Sequence, residues 1–407
     1  MRRHILLLAI VSLMTIPPSV QAEPGDKLIV HEWGTFTSFA GSDGVYLDYR
    51  TRVGGDLPDF VLDRQRQASA STTQPAQINP YLFTKGAIPT LSRMETPVTY
   101  FYTDRPMKVQ ARVDFPAGLL TEFYPPIKKM APVVTAGEKL GKAQPFVGNG
   151  MLDWGEVLVI PQIIFDDMSD PKIPAVSEGD RYAAARQTDS DVVQTTDSHG
   201  AVCQEKFLFY RGICNINLPL DLQCFGNDRF QLTDPSKTTI AAAFLIQIEG
   251  GKIRFQRYAK INGVKAMDLS LPNEPTSLDA LANAMTQDLA ASGLYEKEAK
   301  AMVATWLTSW FGEEGTRLLY ILPATMADAN LPLTITPKPQ QMVRVMVGRL
   351  EVMTPEREHD LAQRLSGNGP INDLGRFAEP SLWRIVAITH DQHVKSRALA
   401  LLTKLHG

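Results

Sequence analysis

The sequence predicts an α+β fold: an antiparallel, β-rich, sandwich-like body with a C-terminal helix-strand-helix region packed on it. Three observations carry that prediction. From residue 28 to about residue 261 apolar and polar residues alternate with period two, in runs bounded by Gly, Pro, Asn and Asp turns. From Thr276 onward apolar residues recur instead at helical spacing. Finally, 407 residues that are 44% hydrophobic and 21% charged have the balance of an ordinary globular chain, which excludes collagen-like, coiled-coil and wholly disordered classes. The formal net charge is −3 and no basic stripe is present, so a nucleic-acid partner is not expected.

The chain start reads as an address. Arg2, Arg3 and His4 precede the apolar run 5–16, and Pro17-Pro18 leads to the small-residue exit Val20-Gln21-Ala22. That is the pattern of a secretory signal peptide spanning 1–22, with an apolar run too short to anchor as a membrane helix. Removing it takes away two arginines and no acid. A soluble periplasmic or secreted chain is expected, with no membrane span after cleavage, divided into a β-rich domain at 23–261 and a mixed region at 262–407. Cys203, Cys214 and Cys224 lie close in sequence. In an oxidising compartment two of them can form a disulfide, leaving one free. Sequence does not fix the pair; Cys203 with Cys224 is favoured because the strands near them can run antiparallel. Their spacing lacks the C-x-x-C of a zinc knuckle, and no metal is assigned.

The elements follow in order. Residues 96–103 and 107–115 alternate cleanly, with Val109, Ala111 and Val113 against Lys108, Gln110 and Arg112, and Asp104-Arg105-Pro106 between them predicts a hairpin turn. A second hairpin is predicted from 239–248 and 252–261, because Gly250-Gly251 tolerate the positive φ of a tight turn. Shorter strands are expected at 156–160, 206–211, 218–224 and 229–233. The polar stretches 63–80 and 166–198 read as long surface loops. Thr276-Ser277-Leu278-Asp279 offers a capping box to a helix carrying Leu278, Leu281, Met285 and Leu289. A second helix over 295–311 stripes Ala299, Met302, Val303, Trp306 and Trp310, with Gly312 as a left-handed stop. Strands at 316–322 and 343–352 come next, then helices at 355–365, 380–388 and from Thr389 to the end.

Chemistry concentrates in two segments. In HEWGTFTS, residues 31–38, a regular strand turns His31, Trp33 and Thr35 to one side and Glu32 and Phe36 to the other, so His31 and Glu32 cannot ligate one metal. The commoner fate of such groups is a satisfied hydrogen bond inside a core. In WLTSWFGEEGTRLLY, residues 306–320, Glu313 and Glu314 occupy a glycine-flanked turn with Arg317 just beyond. Acids held between rigid elements can serve as general acid, base or ligand contacts, and an Arg nearby can hold one ionised or orient an anion. Glu95, beside Arg93 ahead of a strand, is a third acid that can face a cleft. Tyr182 and Arg186 punctuate the polar 166–198 stretch. His390 and His393 sit at H-x-x-H spacing without a third ligand. A G-x-S-x-G elbow, an H-E-x-x-H helix, a P-loop and a dinucleotide fingerprint are all absent from the sequence.

The blocks HEWGTFTS (31–38), RMETPVTYFY (93–102), FPAGLLTEFYPP (115–126), EKFLFYRG (205–212), SWFGEEGTR (309–317) within the longer 293–323 stretch, and VGRLEVMTPE (347–356) make the chain similar to a family of uncharacterised exported bacterial proteins. The resemblance spans most of the chain beyond residue 22 and implies no activity, substrate, cofactor or site residue. Function is therefore read from the residues alone. The first expectation is an exported cell-envelope protein that binds a ligand or partner of unknown identity, with Trp33, Glu95 and Glu313 as contact residues. The alternative is a hydrolase of an extracellular polymer, with Glu314 or Glu32 as general acid or base, Arg317 holding substrate and His31 relaying a proton. That alternative requires the 31–38 and 311–317 segments to meet at one cleft. Cofactor and oligomeric state are unassigned.

Overall fold

The computed structural model describes residues 27–50, 57–64, 66, 86, 88–132, 148–177 and 179–406. The signal-peptide segment 1–22 and most of the 63–80 stretch lie outside them. A nine-stranded sheet runs in the order Lys252–Asn262, Thr239–Glu249, Gly315–Ile321, Gln341–Val352, Leu28–Ala40, Ser92–Thr103, Leu208–Cys214, Gly118–Tyr124 and Leu62–Asp63. A second sheet orders Leu333–Thr336, Met107–Phe115, Gly150–Ile160, Val192–Thr196 and Val202–Glu205, with Lys129–Ala131 also on Gly150–Ile160. A small third sheet holds Asp221–Cys224, Arg229–Thr233 and Met267–Ser270.

Alternation along the strands explains the layers. Val30 and Phe36 of the Leu28–Ala40 strand pack with Val109, Val113, Trp154 and Val157 of the second sheet, which makes the sandwich core. Trp33, from the other face, packs with Leu281, Met285, Met302, Trp306 and Trp310 of the helices Leu278–Ala291 and Glu296–Phe311. A third cluster gathers the helices Pro355–Ser366, Ala378–Ile388 and Gln392–His406 on Phe39, Tyr49 and Met353. The α+β expectation therefore holds, with helices covering the outer face of the larger sheet. Among the described residues no helix is long and apolar enough to cross a membrane.

Several expectations are corrected. The strands on either side of Asp104-Arg105-Pro106 do not pair: Ser92–Thr103 belongs to the large sheet, while Met107–Phe115 pairs with Gly150–Ile160. Alternation buries Val109, Ala111 and Val113 as expected, but it fixes a face and not a partner. The Gly250-Gly251 hairpin does form, with Glu249 opposite Lys252 and both glycines at positive φ. The strands Gly315–Ile321 and Gln341–Val352 are no appendage. They lie between Thr239–Glu249 and Leu28–Ala40, so the large sheet does not divide near residue 261. Leu28–Ala40 runs parallel to Gln341–Val352, whereas the other strand pairings among the described residues are antiparallel.

The 166–198 stretch contains a short helix, Arg181–Ala185, and the strand Val192–Thr196. Gly312 ends the Glu296–Phe311 helix at φ −116°, outside the left-handed region. A Cβ there would meet the Thr308 carbonyl oxygen at 2.8 Å, so its need is space rather than handedness. The cysteines are all free: Cys203, Cys214 and Cys224 sit on strands of three different sheets, so the favoured Cys203–Cys224 disulfide does not form.

Candidate ligand-binding site

The Leu28–Ala40 strand turns its polar residues to opposite layers, as period-two geometry requires. Glu32 enters the sandwich side and is fully buried. It accepts hydrogen bonds from Thr99 Oγ1 (3.0 Å), Tyr210 OH and Arg344 Nε (2.8 Å), and Arg344 Nη2 lies 2.6 Å from the same carboxylate. Arg344 also reaches Asp328. Burial works against the charge on Arg344, and the Glu32 carboxylate outweighs it, raising the guanidinium above its ordinary value. Burial likewise pushes the Tyr210 phenol well up, so it stays a donor.

His31 turns to the helical side. Its Nδ1 lies 2.8 Å from Glu298 Oε2, and Glu298 also accepts from Tyr102 OH (2.6 Å) and the Tyr295 backbone N–H (2.7 Å). The Tyr295 ring lies against the imidazole, tilted by 39° with ring centres 4.4 Å apart. Glu298 is the acid three residues into the helix that reaches back to its start, which is half of a capping box. Glu32 and His31 thus lie on opposite faces of one sheet, and Trp33, at 0% exposure, packs in the core beneath the helices.

The acidic turn meets the far end of the same strand. Arg317 is completely buried and its guanidinium closes the C-terminal end of the Glu296–Phe311 helix. It donates to the carbonyl oxygens of Trp310 and Glu313 (2.6 Å each) and lies 2.7 Å from Glu351 Oε1. Burial lowers its proton affinity to about 10. Arg349 joins Glu351 to Glu313 (2.7 Å) and donates to Ser309 Oγ. Arg376, from the 3₁₀ segment Asn372–Phe377, donates to Ser309 Oγ at 2.9 Å and to Glu95 at 3.1 Å, with its Nε 3.6 Å from Glu313. Glu95 is closed in by Arg93 at 3.0 Å and Thr37 Oγ1 at 2.6 Å. Phe377 lies beneath both Arg349 and Arg376. Against the cost of burial, Arg376 and Arg93 hold the Glu95 carboxyl well below its usual range, and Arg349 and Arg376 lower that of Glu313.

The expected meeting of 31–38 with 311–317 is therefore made through Thr37 and Glu95, not through His31. Glu314 points elsewhere. It accepts the backbone N–H groups of Gly250 and Gly251 at 3.1 and 3.0 Å, capping the hairpin tip. Of the predicted contact residues, Glu95 is shut inside the arginine cluster, whereas Glu313 keeps 36% side-chain exposure. Tyr182 and Arg186 both bond Glu205, a structural knot. Among the described residues no group of three or more His, Cys, Asp or Glu stands where a metal ion could be held.

Glu313 and Ser309 open onto a cavity of about 490 Å³ between the helices Arg181–Ala185 and Glu296–Phe311, lined also by Asp180, Arg181, Gln187, Thr305 and Thr308. Thr305 is 4% exposed, and its hydroxyl has no hydrogen-bond partner. A larger hollow of about 610 Å³ lies beside Glu314, between the hairpin tip and the Pro355–Ser366 helix. Most of its charged groups are already engaged: Arg254 with Asp228, Glu356 with the Asn227 N–H, and Glu314 with the hairpin. The residues missed at sequence level, Ser309, Arg349, Glu351 and Arg376, had one visible signal. Arg349 and Glu351 are charges two apart inside the apolar run VMVGRLEV, on one face of a strand.

No protein-family model matches the chain, and no curated protein matches it. Among solved structures, it is similar to the yeast delta-COP-I mu-homology domain at 8% identity and a TM-score of 0.25, over 82% of this chain and 98% of that one. The same domain complexed with the Dsl1 WxWxV peptide gives 8% identity and a TM-score of 0.25, over 81% and 98%. Likeness of that degree carries nothing over to the site.

Proposed function

We propose that the protein is an exported binding protein of the cell envelope, and that the cavity between Arg181–Ala185 and Glu296–Phe311 takes a small polar ligand. The observation that carries this reading is the cavity itself, about 490 Å³ between two helices and lined by the polar and charged residues Asp180, Arg181, Gln187, Thr308, Ser309 and Glu313. A concave site on which a few polar groups converge is the usual form of a small-ligand site. The export half of the reading rests on the charged, apolar and small-residue order of residues 1–22 and on the likeness of the sequence blocks to exported bacterial proteins.

A hydrolase fits less well. Glu32 is locked to Arg344, Arg317 to a helix end, and Glu314 to backbone amides, so none stands ready to exchange a proton with a substrate. Glycosidic cleavage further needs two carboxyl groups flanking one bond. The test is a thermal-shift screen of residues 23–407 against glycans, amino acids and short peptides, repeated with Ala304→Trp. Ala304 is an exposed residue of the cavity wall, so the bulky side chain fills the cavity without entering the core. A ligand that stabilises the parent chain and not the variant supports the proposal. Turnover of a polymer that Glu314→Gln abolishes and Ala304→Trp leaves intact overturns it.

A further inference from the structure

We infer that the ligand of this cavity is an uncharged polyhydroxylated molecule, a saccharide, held by neutral side chains that both donate and accept. The inference rests on the cavity being the ligand site and adds the chemistry of what enters it. What stands free at the walls is neutral. Thr308 and Gln187 are exposed lining residues, and neither side chain has a hydrogen-bond partner among the described residues. A hydroxyl and a carboxamide each offer donor and acceptor. A sugar hydroxyl does the same, whereas an oxyanion only accepts and an ammonium only donates. Glu313 adds one acceptor. Its Oε2 takes the Arg349 bond, while Oε1 has no partner among the described residues and the side chain keeps 36% exposure.

Charge selects neither sign of ion. Asp180 and Arg181 are neighbours of opposite sign in the lining, the first accepting the Tyr182 backbone N–H and the second lying over the Trp306 ring. Behind Glu313, the guanidiniums of Arg93, Arg317, Arg349 and Arg376 stand against Glu95, Glu313 and Glu351. Glu314, Glu356 and Asp360, which share the neighbouring hollow with Arg357, remove the remaining positive excess. An ion entering here would lose hydration without meeting an unbalanced counter-charge. The apolar part of the lining fits the same class. Ala304 lies one turn before Thr308 on one face of its helix, and Ala183 and Ala184 lie about a turn before Gln187 on the other wall. Each wall thus sets methyl groups beside a neutral polar group, as the C–H faces and hydroxyl rim of a sugar require, in a volume usual for small-ligand sites.

Calorimetric titration and thermal unfolding of residues 23–407 with glucose, N-acetylglucosamine and maltotriose, against sodium acetate, glycine and putrescine at matched ionic strength, test this. A saccharide should bind saturably, raise the unfolding temperature and keep its affinity from low to high salt, because no ion pair forms. Thr308→Val and Gln187→Met, both at exposed positions, should each weaken that binding about tenfold with little change in ligand-free unfolding. Ala304→Trp should abolish it. Acetate, glycine or putrescine binding that Ala304→Trp blocks, with no saccharide response, overturns the saccharide and keeps the cavity as a ligand site. Saccharide binding that survives Ala304→Trp overturns both. Saccharide binding that Ala304→Trp blocks but neither Thr308→Val nor Gln187→Met weakens overturns the assigned contacts and the inference with them. Absence of any saturable saccharide response in a cooperatively unfolding chain overturns the inference.

Discussion

Two buried ion networks hang on one strand, and they are built differently. At Glu32 a carboxylate, a guanidinium, a phenol and a hydroxyl close on each other, with Glu32 at 0% and Arg344 at 3% side-chain exposure. At Thr37 the network around Glu95, Glu313 and Glu351 carries more guanidiniums than carboxylates, and through Ser309 and Glu313 it reaches a cavity. The first engages its buried groups with one another, with one arm of Arg344 reaching the exposed Asp328, and reads as architecture. The second borders a cavity through Ser309 and the part-exposed Glu313, which is where an outside group can be met.

That contrast can be broken by mutation. The largest effect is expected from Glu32→Ala, which leaves the buried Arg344 with the exposed Asp328 as its remaining acidic partner and should cost about 3–5 kcal/mol in urea unfolding. A loss below about 1 kcal/mol would mean that water reaches Arg344 and the network is not closed. Arg376→Met comes next. Arg93 and Thr37 still hold Glu95, so a loss of about 1–3 kcal/mol is expected together with weakened ligand response, a pairing that Glu32→Ala should not reproduce at equal fraction folded.

Acid should separate the networks too. Glu95 has its folded proton affinity lowered, so the unfolded chain takes up the proton more readily. Its stabilising contribution is complete above the ordinary carboxylate value of about 4.3 and is lost as pH falls below it toward the folded value. Unfolding measured from pH 6 to pH 2.5 should therefore steepen below about 4.3 in the parent chain and lose part of that slope in Glu95→Gln. The smallest effect is expected from Glu314→Gln, which weakens an exposed cap on the hairpin tip. It should stay within about 1 kcal/mol and leave ligand response unchanged. A larger loss of binding would move the site to the hollow beside Glu314.

What could be read early was whatever depends on local period and local turn chemistry. The Gly250-Gly251 hairpin, the helices around Leu281 and Trp306, the burial of Val109, Ala111 and Val113, and the opposite facing of His31 and Glu32 all follow from residues within a few positions of each other. The supposed hairpin at Asp104-Arg105-Pro106 failed because alternation says which side is buried and leaves open which strand lies alongside. Arg317 looked like a substrate handle from its place beside two acids. Only the fold put a helix end and Glu351 around it.

By itself the sequence determined composition class, element type and the facing of each side chain, because those are set by short-range sterics and by the hydrophobic period. Tertiary structure decided which charges become partners. Glu95 meets Arg376 across 281 positions and His31 meets Glu298 across 267. Such pairs form because late strands slot beside the first one and buried charges must find opposite charges in whatever neighbours the sheet order brings, which no local pattern encodes.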